Sequence, residues 1–204
     1  MDLLALALAE EFRDVDAHAA LTTLDALGAE LARAAPQTRG DPGAAALACS
    51  QLLGAQHGFA GDRHNYDHPD NSMLDLVLAR RRGLPILLSV VYSEVARRAG
   101  IPLAGVGLPG HFVVAHFGAD PPVLLDPFDR GRVLSGAVAD VLLRPWQPRE
   151  IAMRMLNNLV AAFDRRGHLA AAIRAATMRL YLPAPGSLRT SLQVELRSLE
   201  ARLN

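Results

Sequence analysis

The segment 85–99, which reads PILLSVVYSEVARRA, most strongly limits how this chain can fold. At the helical spacing of about 100° per residue, its apolar residues cover most of the helix circumference. Only Glu94, Arg97 and Arg98 clearly require water. A helix that is apolar on nearly all sides is buried within a protein. We therefore predict that this helix lies at the centre of the fold, with a sheet packed against it.

Three short apolar runs follow the central helix and predict that sheet. Residues 103–108, residues 111–117 and the run that ends at Asp126 are rich in strand-forming residues and are separated by glycine and proline. This punctuation is typical of an antiparallel meander. Helical patterns dominate before residue 85 and again from residue 149. The order of helices, a small sheet and further helices predicts an α+β fold.

Several helix boundaries can also be predicted. A helix is expected over 43–56, and another over 73–82 that stops at Gly83. Ser72 and Asp75 have the spacing of a capping box at the start of that second helix. Pro85 suits the first turn of the central helix, where its missing N–H costs nothing.

Composition excludes several classes of function. The 204 residues contain 21 basic and 21 acidic side chains, so no overall field attracts nucleic acid or an acidic membrane. No apolar run is long enough to cross a bilayer. The start, MDLLALALAEEF, lacks the basic region of a signal peptide and is interpreted as a helix. The single cysteine, Cys49, excludes an intrachain disulfide, and we expect a cytoplasmic protein.

His111 and Asp126 form the most suggestive pair for chemistry. His111 begins one predicted strand and Asp126 ends the next, where a carboxylate can orient a neighbouring imidazole. Thiol enzymes place the last two members of a Cys-His-Asp triad in this way. Because strand residues alternate between faces, His111 and Phe112 are expected to point to opposite sides of the sheet.

The segments RRGLP, EVARRAGIP, GVGLPGHF and LLDPF together resemble the transglutaminase-like superfamily, and more narrowly its bacterial SirB-type branch. The resemblance covers roughly residues 45–146 and implies a papain-like core, with a central helix against a small antiparallel sheet. It also implies an N-terminal helical region over 1–44. A C-terminal helical segment over 147–204, resembling a tetratricopeptide pair, completes the expected organisation.

The same resemblance implies where a catalytic cysteine would lie. In active members it begins the central helix, and an ungapped alignment places Pro85 there, while His111 and Asp126 match the other two triad members. Proline has no nucleophilic atom, and loss of the thiol is a usual feature of the SirB-type branch. We therefore expect a non-catalytic, regulatory module that binds a peptide or protein and needs no cofactor.

An enzymatic alternative stays open. Ser89 lies one turn after Pro85 on the same helix face, so it or an activated water could act with His111 and Asp126 in an amide hydrolase or transferase. Tyr92 shares that stripe and could bond His111, although a core tyrosine is the preferred interpretation. Leu87 stands where SirB-type relatives often carry a hydroxyl. Cys49 lies on an apolar helix face and is expected to be inert.

Two further readings concern the polar surface. The loop 58–72 brings His64, Asp67 and His68 close in sequence as candidate metal ligands, but without a recurring metal-binding spacing, and a solvated loop is preferred. The arginine runs at 80–82 and 97–98 could hold an anion, yet cations at helix ends are also expected for structural reasons. A purely structural use of the C-terminal helices remains a third possibility, which predicts an apolar groove there.

Overall fold

The computed structural model describes residues 1–35, 40–134 and 143–203. Its helices are α1 (Asp2–Glu10), α2 (Ala17–Ala34), α3 (Pro42–Cys49), α4 (Leu74–Arg80), α5 (Pro85–Arg98), α6 (Pro148–Arg165), α7 (Leu169–Arg179) and α8 (Gly186–Ala201). Its strands are β1 (Ala60–Gly61), β2 (Arg82–Gly83), β3 (Leu103–Leu108), β4 (His111–His116), β5 (Val123–Asp126) and β6 (Arg132–Val133). The predicted α+β class is confirmed.

Helix α5 is the buried centre of the fold, as its sequence predicts. Pro85 occupies its first turn, and almost every residue up to Ala96 is buried. Strands β3 and β4 pack against one side of α5, and α2 packs against another. At Gly28 of α2 a Cβ would lie 2.4 Å from the Cβ of Arg98, so glycine permits the close approach of these two helices.

The main sheet is an antiparallel meander in the order β3-β4-β5-β6. Strand β4 alternates as expected: Phe112 and Val114 join the core around α5, whereas Val113 and Ala115 join a second cluster on the other face. Strand β6 was not expected, because it has only two residues. The parallel pairing of β1 with β2 was not expected for the same reason.

Three helix boundaries differ from the sequence-based expectation. The helix expected over 43–56 continues beyond Cys49 as a π-helix over 50–56. The capping box at Ser72 does not form, because Ser72 ends a 3-10 turn, Met73 is the N-cap, and the Ser72 hydroxyl has no partner. Helix α4 ends before Gly83, since Arg81 itself adopts the left-handed conformation with φ 56°.

The C-terminal helices stack in chain order, with α6 against α7 and α7 against α8. Glu150 in the first turn of α6 accepts the N–H of Gln147 at 2.7 Å, which stabilises the start of this helix. Residues of α2, α5, α6 and α7 belong to one continuous hydrophobic cluster. The division at 44/45 and 146/147 stays a prediction. Among the described residues, no helix combines the length and apolar character that crossing a bilayer requires.

Candidate functional site

The sheet brings His111 and Asp126 together at one end of β4 and β5. Nε2 of His111 lies 2.9 Å from Oδ2 of Asp126, with 30% of the His111 side chain exposed and the Asp126 side chain largely buried. The other carboxylate oxygen of Asp126 accepts the backbone N–H groups of Phe128 at 3.0 Å and Asp129 at 3.4 Å. The carboxylate therefore fixes both the imidazole and the turn that follows β5.

The charge state of Asp126 follows from these contacts. Burial alone would raise the pKa of this carboxyl, but His111 and the two backbone N–H groups outweigh burial and lower the pKa below its ordinary value. Asp126 is therefore an anion at neutral pH, and it holds the imidazole in one orientation.

Aromatic and cationic side chains surround the pair. The ring of Phe128 meets the His111 ring edge-on at 6.1 Å, and the Tyr66 ring contacts Phe128 at 5.8 Å. The Arg63 guanidinium lies 5.2 Å above the Phe128 ring. We call these residues with His111 and Asp126 the His111 patch.

A cavity of about 320 Å³ lies beside the patch, between β1, β2 and the turn after β5. Its wall includes Arg63, Arg82, Phe128 and Asp129. At Gly61 a Cβ would lie 2.2 Å from the Phe128 ring, so only glycine lets β1 approach this ring so closely. The His111 patch therefore adjoins a recess whose walls carry both charged and aromatic side chains.

Ser89 lies elsewhere. It lines a different cavity together with Phe112 and Trp146, and its hydroxyl is buried without a hydrogen-bond partner. Phe112 follows His111 along β4 and leaves the strand on the opposite face. The Ser89 hydroxyl therefore does not bond the imidazole, and within the described ranges its cavity shares no lining residue with the cavity beside the His111 patch.

Tyr92 and Cys49 are both deeply buried. The Tyr92 hydroxyl has no hydrogen-bond partner and reaches toward Gly54 and Gly131, where a Cβ would lie 3.1 and 2.9 Å from it. Burial, and then the nearby Cys49 and Asp126, raise the pKa of Tyr92 well above its ordinary value. Burial raises the pKa of Cys49 to about 12. Both groups are therefore protonated and uncharged at neutral pH.

Pro85, expected at the position of a catalytic cysteine, begins α5 and is buried. Leu87 is completely buried in the core. The assignment of Pro85 to the cysteine position stays a prediction from the resemblance.

The candidate metal ligands have other contacts. Asp67 pairs with Arg165 at 2.5 Å, and Nδ1 of His68 accepts the N–H of Asp70 at 3.3 Å. His64 lines the cavity beside the His111 patch. Within the described ranges, no three histidine, cysteine or acidic side chains are grouped as a metal site would require.

The arginine runs serve mainly structural contacts. Arg80 pairs with Asp62 at 3.1 Å, and Arg82 donates to the Gly58 carbonyl at 2.6 Å. Arg97 and Arg98 both pair with the buried Glu94, at 2.8 and 3.0 Å. These arginines neutralise neighbouring carboxylates and cap carbonyl groups.

Sequence reasoning missed Phe128 and Arg63 in the patch and Trp146 in the second cavity. Phe128 lies within the LLDPF motif directly after Asp126, so the turn that carries the aspartate offered a signal for it. Arg63 and Trp146 come from segments distant in sequence, and no local pattern connects them to the sheet.

The chain is similar to several known proteins over more than half of its length. A UPF0162 protein of Xylella fastidiosa strain 9a5c is 36% identical over 162 residues, covering 70% of this chain and 58% of the relative. A UPF0162 protein of Pseudomonas aeruginosa is 33% identical over 147 residues, covering 65% and 54%. Human F-box only protein 21 is 29% identical over 137 residues, covering 59% of this chain and 22% of that protein.

The chain thus spans little more than half the length of the bacterial relatives. No solved structure matches it. The family model described as the transglutaminase-like superfamily matches residues 18–162, a longer segment than the 45–146 on which the motifs lie. The paired His111 and Asp126 and the central helix fall within this match, and the chain belongs to the transglutaminase-like superfamily.

Proposed function

We propose that this chain is a non-catalytic transglutaminase-like protein that binds a peptide or protein segment at the His111 patch and acts as a regulatory module. One observation carries the proposal: the His111–Asp126 pair is oriented and reachable, but the candidate nucleophiles Ser89 and Cys49 are buried, and the Ser89 hydroxyl has no hydrogen-bond partner. A pair without a nucleophile can still bind polar groups of a partner.

The chemistry of the patch suits a peptide. The Arg63 guanidinium can donate hydrogen bonds to carbonyl or carboxylate oxygens, the second ring nitrogen of His111 can accept one from a peptide N–H, and the Phe128 and Tyr66 rings offer apolar contact. Aromatic and arginine side chains supply much of the binding energy at protein interfaces. The cavity beside Phe128 adds a recess for one partner side chain.

Selection of binding peptides tests the proposal. Peptides recovered from a random display library against the wild-type chain are measured by fluorescence anisotropy against wild type and His111→Ala. We expect His111→Ala to weaken binding by about tenfold or more, as for a central interface residue. The matched control is His18→Ala, which removes an exposed histidine from α2 and should leave affinity within about twofold. Equal affinity for wild type and His111→Ala would contradict the proposed site.

A second candidate is amide hydrolysis or transfer by a water that His111 activates. It is favoured by the Asp126 contact, which leaves the second ring nitrogen of His111 free to accept a proton. Ammonia release from glutamine-containing peptides, with and without a primary amine, separates the two candidates. We expect no release above the buffer blank. Release that disappears in both His111→Ala and Asp126→Asn would replace the binding proposal with the enzymatic one.

The place of action is also part of the proposal. A single, buried cysteine suits a reducing interior, and we propose that the chain acts in the cytoplasm on a protein partner. The human relative named F-box only protein 21 is similar to this chain over 137 residues, and we take this similarity as support for a role in contacts with proteins. Neither nucleic acid nor a membrane is proposed as a partner.

A further inference from the structure

A second cavity, of about 380 Å³, lies between α5, the start of β3 and the segment that leads into α6. Its walls are mainly apolar and come from Val90, Ile101, Leu103, Phe112, Trp146 and Ile151. This volume lies at the lower end of the range for small-molecule sites, about 300–1,000 Å³. It suits a molecule with one ring and is too narrow for a helix, which is about 10 Å across.

An unpartnered hydroxyl lies in this cavity. Ser89 is 1% exposed, and its Oγ has no hydrogen-bond partner. Ser93, one turn further along α5, also lines the cavity with an unpartnered hydroxyl. A buried hydroxyl without a partner costs free energy, and a ligand that supplies a hydrogen bond recovers it.

The charged groups at the cavity neutralise each other. Glu94 accepts contacts from the N-terminal ammonium group of Met1 at 2.6 Å, from Arg97 at 2.8 Å and from Arg98 at 3.0 Å, and Arg98 also pairs with Asp2 and Asp25. A charged ligand would have to compete with these existing pairs. The lining therefore favours an uncharged ligand.

We propose that this cavity is a binding site for a small, uncharged and largely apolar molecule that carries one hydroxyl or carbonyl group, which bonds to Ser89. Among the residues that the structure describes, this cavity shares no lining residue with the His111 patch or with the cavity beside that patch. It is thus separate from the proposed peptide site, and either proposal can fail without the other.

Trp146 supplies a built-in reporter for this site. It is the only tryptophan in the chain, and its ring meets the Phe112 ring edge-on at 5.2 Å. A Cβ at Gly107 would lie 2.1 Å from the Trp146 ring, so the indole lies directly on β3. A ligand in the cavity contacts this indole and changes its fluorescence.

Phenol and toluene are suitable probes because they have nearly the same shape and differ by a hydroxyl in place of a methyl group. Each is titrated into the full chain, with Trp146 excited at a wavelength that neither probe absorbs. We expect phenol to bind about fivefold more tightly than toluene, the size expected for one buried hydrogen bond. Ser89→Ala should reduce the affinity for phenol to that for toluene and leave toluene within about twofold.

The matched control is Ser72→Ala. Ser72 is 2% exposed and its hydroxyl is also unpartnered, but it does not line this cavity. This variant should bind both probes as the wild type does. Ile151→Phe, with its fold checked by circular dichroism, should fill the cavity and abolish the response to both probes.

Four results would overturn the proposal. The first three are an unchanged Trp146 emission with both probes, equal affinities for phenol and toluene in the wild type, and a preference for phenol that survives in Ser89→Ala. A response to the probes that persists in folded Ile151→Phe would also overturn it, because the probes would then bind elsewhere.

Discussion

The two faces of strand β4 give neighbouring residues opposite environments. On one face, His111 is partly exposed and its nitrogen contacts the ordered carboxylate of Asp126. On the other, Phe112 closes an apolar cavity in which the Ser89 hydroxyl has no partner. A triad needs its nucleophile within hydrogen-bond reach of the histidine, and here Ser89 lines a cavity that shares no described residue with the one beside the His111 patch. A His–Asp pair can therefore be retained as an ordered polar surface while a serine of the central helix lies in the wall of a separate cavity.

The largest expected effect concerns the chemical reactivity of Cys49, the single cysteine of the chain. Cys49 is completely buried and the pKa of its thiol is about 12, so its thiolate fraction at neutral pH is about a thousandfold below that of a free cysteine. We expect an Ellman-type reagent to modify native Cys49 at least about a thousandfold more slowly than the unfolded chain. Ser187→Cys in a Cys49→Ala background provides an exposed control thiol. If native Cys49 reacted as fast as that control, its thiol would be accessible, and Cys49 would again be a candidate nucleophile.

The second prediction concerns the turn after β5, which carries Phe128 of the His111 patch. At Gly54 a Cβ would lie 1.8 Å from the carbonyl oxygen of Arg130, in the turn that follows Asp126. Gly54→Ala should therefore lower the free energy of unfolding by about 3 kcal/mol, measured by urea denaturation. At Gly186 a Cβ meets nothing within 4 Å, so Gly186→Ala should leave stability unchanged or raise it by up to about 1 kcal/mol. Similar stability of both variants would mean that the turn adapts freely.

The third prediction removes the charge from the His111 face. Asp126→Asn should lower the free energy of unfolding by about 2 kcal/mol at neutral pH, because it weakens three charge-assisted contacts. The folded-state pKa of Asp126 is lowered, so its stabilisation is complete above the unfolded value of about 3.9 and is lost as pH falls through the folded value.

The stability difference between wild type and Asp126→Asn should consequently shrink below about pH 4, as urea denaturation across a pH series would measure. Asp14→Asn, at an exposed loop position, should change stability by less than about 0.5 kcal/mol across the same series. A difference for Asp126→Asn that grows with acid would contradict the assigned charge state.

The smallest expected effect concerns the stability of the ligand-free protein when the Ser89 hydroxyl is removed. Ser89→Ala removes an unpartnered buried hydroxyl, and we expect the free energy of unfolding to stay equal or rise by up to about 1 kcal/mol. Ser72→Ala should behave alike, since its hydroxyl is equally buried and unpartnered. A loss of more than about 1 kcal/mol in Ser89→Ala, measured by thermal unfolding, would mean that its hydroxyl already has a partner in solution.

Much of the fold could be predicted because its strongest signals are local. The apolar helix from Pro85 and the three runs that form β3, β4 and β5 are readable from periodicity and punctuation. The predicted end of α4 was wrong, because the backbone of Arg81 adopts the left-handed conformation and ends the helix before the expected glycine. The pairing of β1 with β2 depends on contacts distant in sequence, which no local pattern contains.

The candidate site could also be predicted only in part. The pairing of His111 with Asp126 followed from the order of the strands and the resemblance, and the geometry agrees with the expected pair. The orientation of Ser89 could not be predicted, because helix projection gives its angle only relative to other residues of α5. Which of those faces meets β4, and which meets Trp146, is fixed by tertiary packing.

The contact of Trp146 with β3 has a consequence for the edge of the sheet. Strand β3 is an outer strand, and its free backbone groups could pair with a strand from another molecule. The backbone N–H of Trp146 instead donates to the Gly105 carbonyl at 2.9 Å, while its indole covers Gly107. The segment that leads into α6 thus occupies part of an edge that would otherwise be open to pairing with a strand of another molecule.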